Sequence, residues 1–120
     1  MPHRAVLSRW DDLALEKVTE MIARKVIAGQ RDVLIQAYLK RGALVPLHAH
    51  PAEQMVYVLQ GAVLAVVDGA TFTVREGEVL RVPAGTPHQV EALDDTFVMT
   101  MGSGLLGESQ SRPLRQTTVP

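Results

Sequence analysis

The chain has no cysteine. Disulfides and thiolate ligands are excluded, so any bound metal must be held by nitrogen and oxygen. Aromatic residues are scarce (two Phe, two Tyr, one Trp), no basic run occurs, and the formal net charge is -1. The positive stripe and stacking side chains that nucleic-acid binding uses are therefore missing. Nothing approaches the ~18 consecutive apolar residues of a membrane span, and Met1 to Asp12 has no apolar signal-peptide core. The expectation is a cytoplasmic protein that engages neither nucleic acid nor membrane.

What is present suits one domain. The 120 residues are too few for two domains, and 47% of them are hydrophobic, enough for a core. From Asp32 onward, β-rich runs follow one another: Val33 to Leu39, Gln54 to Gln60, Ala62 to Val67, Thr71 to Arg75, Glu78 to Val82, His88 to Ala92 and Thr96 to Met101. Gly61, Asp68-Gly69, Glu76-Gly77, Pro83-Ala84-Gly85 and Asp94-Asp95 separate them. Short strands with turn signals about every ten residues predict an all-β sandwich or barrel, with a tight hairpin at Asp68-Gly69. The opening, Trp10 to Ala28, reads either as a helix or, over Met21 to Ile27, as an edge strand. Residues 1–30 are thus an N-terminal extension or a shared edge strand of a single 1–120 domain, and 108–120 reads as a loosely tied tail. Met99 and Met101 read as core filler.

Three of the four histidines fall in the β-rich part. His48 and His50 are two apart, so in a strand both point to one face. Gln54 shares that face if the chain stays extended. His88 is distant in sequence and must be brought in by sheet closure. Two near ligands and one distant one make a metal site that only the fold can assemble.

The punctuation around these residues resembles the cupin family. Its first motif, G-x5-H-x-H-x3,4-E-x6-G, is followed by Gly42, His48, His50, Gln54 and Gly61. Its second, G-x5-P-x-G-x2-H-x3-N, is followed by Gly77, Pro83, Gly85 and His88, with Ala92 in place of the asparagine. The string His50-Pro51-Ala52-Glu53-Gln54-Met55-Val56-Tyr57-Val58-Leu59 is similar to that of the unsaturated-uronate (pectin degradation) cupins. The resemblance implies a double-stranded β-helix, or small jelly-roll barrel, and one divalent transition metal ion (Zn, Ni, Fe, Co, Cu or Mn). It implies His48, His50, Gln54 and His88 as metal ligands. Glu53, one residue early, is the alternative fourth ligand, although period two turns it away from the histidine face. A homodimer sharing an edge strand, with Met21 to Ile27 as the candidate, is implied as well.

The D-x-F-x-P-x-R pattern that ends the uronate cupins is replaced here by Thr100-Met101-Gly102-Ser103-Gly104-Leu105-Leu106. Alternation turns Val56, Val58, Val90, Val98 and Thr100 inward, leaving no Asp, Glu, Lys or Tyr as an obvious general base. Three functions stay open. One is a metal-dependent isomerase or lyase acting on a small polar molecule such as a sugar acid or keto acid. The others are a metal-dependent dioxygenase and a non-catalytic small-molecule-binding cupin.

Overall fold

Period-two burial is clearest over Gln54–Gln60, Ala62–Val67, Val79–Val82 and Thr96–Ser103, and the chain closes into two facing sheets. The computed structural model describes residues 4–103 and the backbone of Arg112–Pro113. A 3-10 turn at Trp10–Asp12 precedes β1 (Glu16–Lys17), β2 (Ile22–Ala28), β3 (Asp32–Leu39), β4 (Leu44–Ala49), β5 (Gln54–Gln60) and β6 (Ala62–Val67). Then come β7 (Ala70–Arg75), β8 (Val79–Val82), β9 (His88–Ala92), β10 (Thr96–Ser103) and β11 (Arg112–Pro113). One sheet has the order β1-β2-β3-β10-β5-β8, the other β11-β4-β9-β6-β7, and all pairings are antiparallel. This is an all-β jelly roll of two antiparallel sheets, the fold that the sequence resemblance implies. Among the described residues no helix is long and apolar enough to cross a membrane.

The inner faces meet in a core of small branched side chains. Leu39, Val56, Val58 and Val98 from the first sheet touch Val63, Val74 and Ala92 from the second. Valine is favoured because two pleated faces leave room for compact, stiff side chains, and β-branching suits the extended backbone. Seven strands, β3 and β5 to β10, begin within one residue of the sequence reading. The expected hairpin joins β6 to β7, with Asp68 at φ 50 and Gly69 at φ 83. Positive φ at both central positions is what the Asp-Gly signal supplies.

The ambiguous opening is a strand. All seven residues of β2 pair with β3, from Ile22↔Leu39 to Ala28↔Val33. Hairpin pairing with the next strand overrides the local helix propensity of this stretch, because each inward residue then gains a core neighbour. Met99 and Met101 depart from expectation: both lie on the outer face of β10, with Met101 38% exposed. Inward positions on that strand alternate from Thr96 through Val98 and Thr100, so the odd-numbered residues must face out. The expected tail, 108–120, lies outside the described residues apart from the backbone of Arg112–Pro113, which pairs with Ala49 and His48.

Gly61 joins β5 to β6 at φ 91, and a Cβ there would stand 2.6 Å from the Asp95 carbonyl oxygen. Both backbone strain and steric overlap oppose a side chain. Gly61→Ala is expected to cost about 2–4 kcal/mol, read as a lowered urea midpoint with an unchanged m value.

Candidate metal centre

The pairing of β4 with β9 decides which way the histidines face. Val45 sits opposite Val90, and His48 opposite His88, so β4 uses three residues where β9 uses two. That extra residue is a β-bulge at Pro46–Leu47. Val45 and Val90 point inward. Strict alternation from Val45 would therefore put His48 outside; the bulge returns it to the interior beside His88. Pro46 suits the position because it has no N–H to lose from the ladder. Sequence reading missed this device, although Pro46 inside a strand was a signal for it.

His50 follows the end of β4, and His88 begins β9. Gly85, at φ 73 in the loop before His88, donates its N–H to the His50 carbonyl at 2.8 Å. The two histidine-bearing segments are thus tied directly together. The three rings stand close: centroids are 4.3 Å apart for His48 and His88, 5.1 Å for His50 and His88, and 5.4 Å for His48 and His50. A ring nitrogen from each lies within 4.8 Å of one from each of the others.

Each ring is held by one backbone carbonyl. Nδ1 of His48 meets the Pro46 oxygen at 2.8 Å, Nδ1 of His50 the Ala52 oxygen at 2.9 Å, and Nδ1 of His88 the Thr86 oxygen at 2.7 Å. A carbonyl only accepts, so each Nδ1 carries the proton and donates it. Every neutral ring then turns the lone pair of Nε2 to the common centre. Second-sphere donation of this kind fixes the tautomer of metal-binding histidines.

The donors fit a cation. Nε2 of His88 is buried and has no hydrogen-bond partner. Nε2 of His50 faces Oε1 of Gln54 at 3.2 Å. With Nδ1 protonated, Nε2 of His50 is an acceptor, and the Gln54 amide can present to it either its NH2 as a donor or, beside a shared cation, its oxygen. Glu53 is turned away, its carboxylate 3.0 Å from the Arg81 guanidinium on the outer surface. The inner faces of β3 to β10 carry no Asp, Glu, Lys, Arg or Tyr. The donor set is therefore uncharged.

Burial lowers the pKa of His88 to about 4, partly opposed by its bond to Thr86 and reinforced by His48 and His50. Burial also lowers His48, opposed by its bond to Pro46 and reinforced by His50. Both rings stay neutral near pH 7, as ligation requires.

Comparison with known proteins places this arrangement among relatives. The model of the cupin domain family matches residues 36–102. Oxalate decarboxylase OxdC of Bacillus subtilis is 27% identical over 99 residues, 77% of this chain and 26% of that protein. The chain spans 60% of the other curated relative it matches, so neither relative is covered to two thirds of its length. KdgF from Halomonas sp. superposes with a TM-score of 0.77 at 24% identity, covering 83% of this chain and 94% of that one. An RmlC-like cupin from Shewanella frigidimarina superposes with a TM-score of 0.78 at 20% identity, covering 97% of each.

Two outcomes follow from the geometry. His50→Ala is expected to abolish metal retention through desalting, measured by elemental analysis, while a far-UV spectrum unchanged from the parent shows the barrel intact. In metal-free protein the depressed His88 pKa makes stability pH-dependent. Stability is full above pH ~6.5, where the ring is neutral folded and unfolded alike, and is lost as pH falls toward ~4, because only the unfolded chain takes up the proton. Thermal melts of chelator-treated protein across that window should show a decline that His88→Gln flattens.

Proposed function

The chain belongs to the cupin domain family, and from that premise we propose a metal-dependent enzyme acting on a small acid, a sugar acid or keto acid, by isomerase- or lyase-type chemistry. The observation that carries this reading is the uncharged donor set: three Nε2 lone pairs beside Gln54 Oε1, with no carboxylate among the described inward-facing residues. His48, His50, His88 and Gln54 would hold a divalent transition ion. Held by uncharged donors, such an ion keeps its double charge and acts as a Lewis acid toward a carboxylate, hydroxyl or carbonyl oxygen.

The chain's own groups supply binding and exclusion rather than proton transfer. Val56, Val58 and Val98 keep water from the barrel floor. Thr100, inward and 9% exposed on the row of Ile35 and Val56, adds a hydroxyl to an otherwise apolar wall. Likeness to a decarboxylase named for oxalate supports an anionic substrate. Among the described residues the interior carries no acid or base besides the histidines, which favours a second reading, a non-catalytic module that binds the same anions.

The test is turnover. Protein loaded in turn with zinc, nickel, iron(II), cobalt, copper and manganese is assayed against hydroxy, keto and uronic acids, with oxygen uptake followed in parallel. Conversion without oxygen use supports the proposal. Oxygen uptake with iron alone would transfer it to dioxygenase chemistry, and ligand-induced thermal stabilisation without conversion would select the binding module. Gln54→Glu adds one negative charge to the donor set. It is expected to weaken binding of a carboxylate ligand on the order of ten-fold, a shift of about 1.4 kcal/mol, measured by titration calorimetry on metal-loaded protein.

A further inference from the structure

Among the described residues two hydroxyls lie on the inner faces of β3 to β10, those of Thr96 and Thr100, and both belong to β10. Thr96 is 5% exposed and Thr100 9%. Their bonding differs. Thr96 Oγ1 donates to the Asp94 carbonyl at 2.8 Å and accepts from the Ala62 N–H at 3.2 Å, so it serves the backbone. Thr100 Oγ1 bonds no described residue. Nor is it sealed off like Nε2 of His88, the described buried atom that lacks a partner. It therefore opens onto space inside the barrel. Buried hydroxyls are normally bonded, and an unpaired one nine-tenths buried calls for a water or a ligand. Packing does not explain it, because its row-mates Ile35 and Val56 are apolar and a valine would have the same branched shape.

The next row toward the histidines holds Val33, Gly102 and Gln54. Gly102 pairs with Val33, and it follows the Met101↔Met55 pair by one residue, which sets it beside Gln54. The Gln54 amide reaches to 3.2 Å from His50 Nε2, so this row borders the metal centre. Gly102 leaves the middle of the row without a side chain. Strands ~4.8 Å apart make that strip about 10 Å wide between the backbones of β3 and β5, and two residues of strand set the Thr100 row about 7 Å deeper. One row beneath Thr100, Val98 and Val58 close the barrel at 4% and 0% exposure. The inner face thus has a notch beside Gln54, with a valine floor and one free hydroxyl on its wall.

We propose that Thr100 is a specificity-determining residue: its hydroxyl hydrogen-bonds the second oxygen of an acid whose carboxylate is held at the histidine centre, and the notch at Gly102 admits compact 2-hydroxy and 2-keto acids. This rests on the acid-binding reading of that centre. A threonine hydroxyl both donates and accepts, so it takes a hydroxyl or a keto oxygen alike. An acid without the second oxygen leaves Thr100 buried and unpaired, and sites built on a buried polar group discriminate against such ligands. The valine floor stops a long chain from entering deeper, so the shortest acids fit best.

Zinc-loaded full chain is titrated by calorimetry with glycolate, acetate and glucuronate. The parent should bind glycolate more tightly than either of the others. Thr100→Val should cut the preference for glycolate over acetate roughly five- to ten-fold, with zinc retention unchanged, and Thr100→Ser should keep it. Comparing two acids within each variant cancels the share of the preference that the metal itself supplies. Gly102→Val should fill the notch and abolish glycolate binding while zinc stays bound. Melts without acid give a reading independent of any ligand. Thr100→Val should raise the midpoint by on the order of a few degrees, since a methyl replaces an unpaired hydroxyl, whereas Thr96→Val should lower it. A lowered midpoint for Thr100→Val, or an unchanged acid preference in that variant, overturns the proposal. So does glycolate binding that survives Gly102→Val, or glucuronate bound by the parent as tightly as glycolate. A parent that holds zinc but binds none of the three acids overturns the acid-binding reading itself, and the Thr100 contact with it.

Discussion

A single extra residue in β4 sets the chemistry of the barrel. Antiparallel pairing places Val45 against Val90 and His48 against His88, and both pairs must face inward. No unbroken strand can satisfy both, because three positions separate Val45 from His48. The bulge at Pro46–Leu47 resolves the conflict, and it also frees the Pro46 carbonyl, which accepts the Nδ1 proton of His48. One local irregularity thus orients an imidazole and chooses its tautomer. His50 and His88 are held by the same means, through Ala52 and Thr86.

The metal centre and the core impose opposite demands on one interior. Valines and alanines fill the floor at almost no exposure, while the histidine end gathers polar groups with few partners of their own. Burial that would favour a dry pocket also holds His48 and His88 neutral, so desolvation serves ligation rather than opposing it. The arrangement leaves lone pairs and no protons at the centre. Chemistry there depends on what a bound cation and its ligand bring.

Outside the barrel, the same period-two alternation produces two unlike surfaces. On the second sheet Thr71, Thr73, Arg75, Gln89 and Glu91 flank an apolar row of Ala62, Leu64 and Val66, whereas Met55, Tyr57, Met99 and Met101 face out from the first. Both satisfy the inner core equally well, so core packing does not account for the difference.

Much of this was legible in the chain itself. Strand runs at Gln54 to Gln60, Ala62 to Val67 and His88 to Ala92 coincide with β5, β6 and β9, because apolar alternation and glycine punctuation are local signals. Glu53 was expected to face away from the histidines and lies against Arg81, since alternation along β5 decides it. Tertiary structure decided three other matters. Helix or strand at Ile22 to Ala28 turned on pairing with β3 across the turn at Gly29, and on the place β3 takes beside β10. Inner or outer for Met99 and Met101 turned on which neighbours β10 found in space. His48 facing inward turned on a bulge that is defined only relative to β9. Composition, period and spacing along one chain determined which residues could meet. Register between strands, a relation between distant segments, determined which of them do.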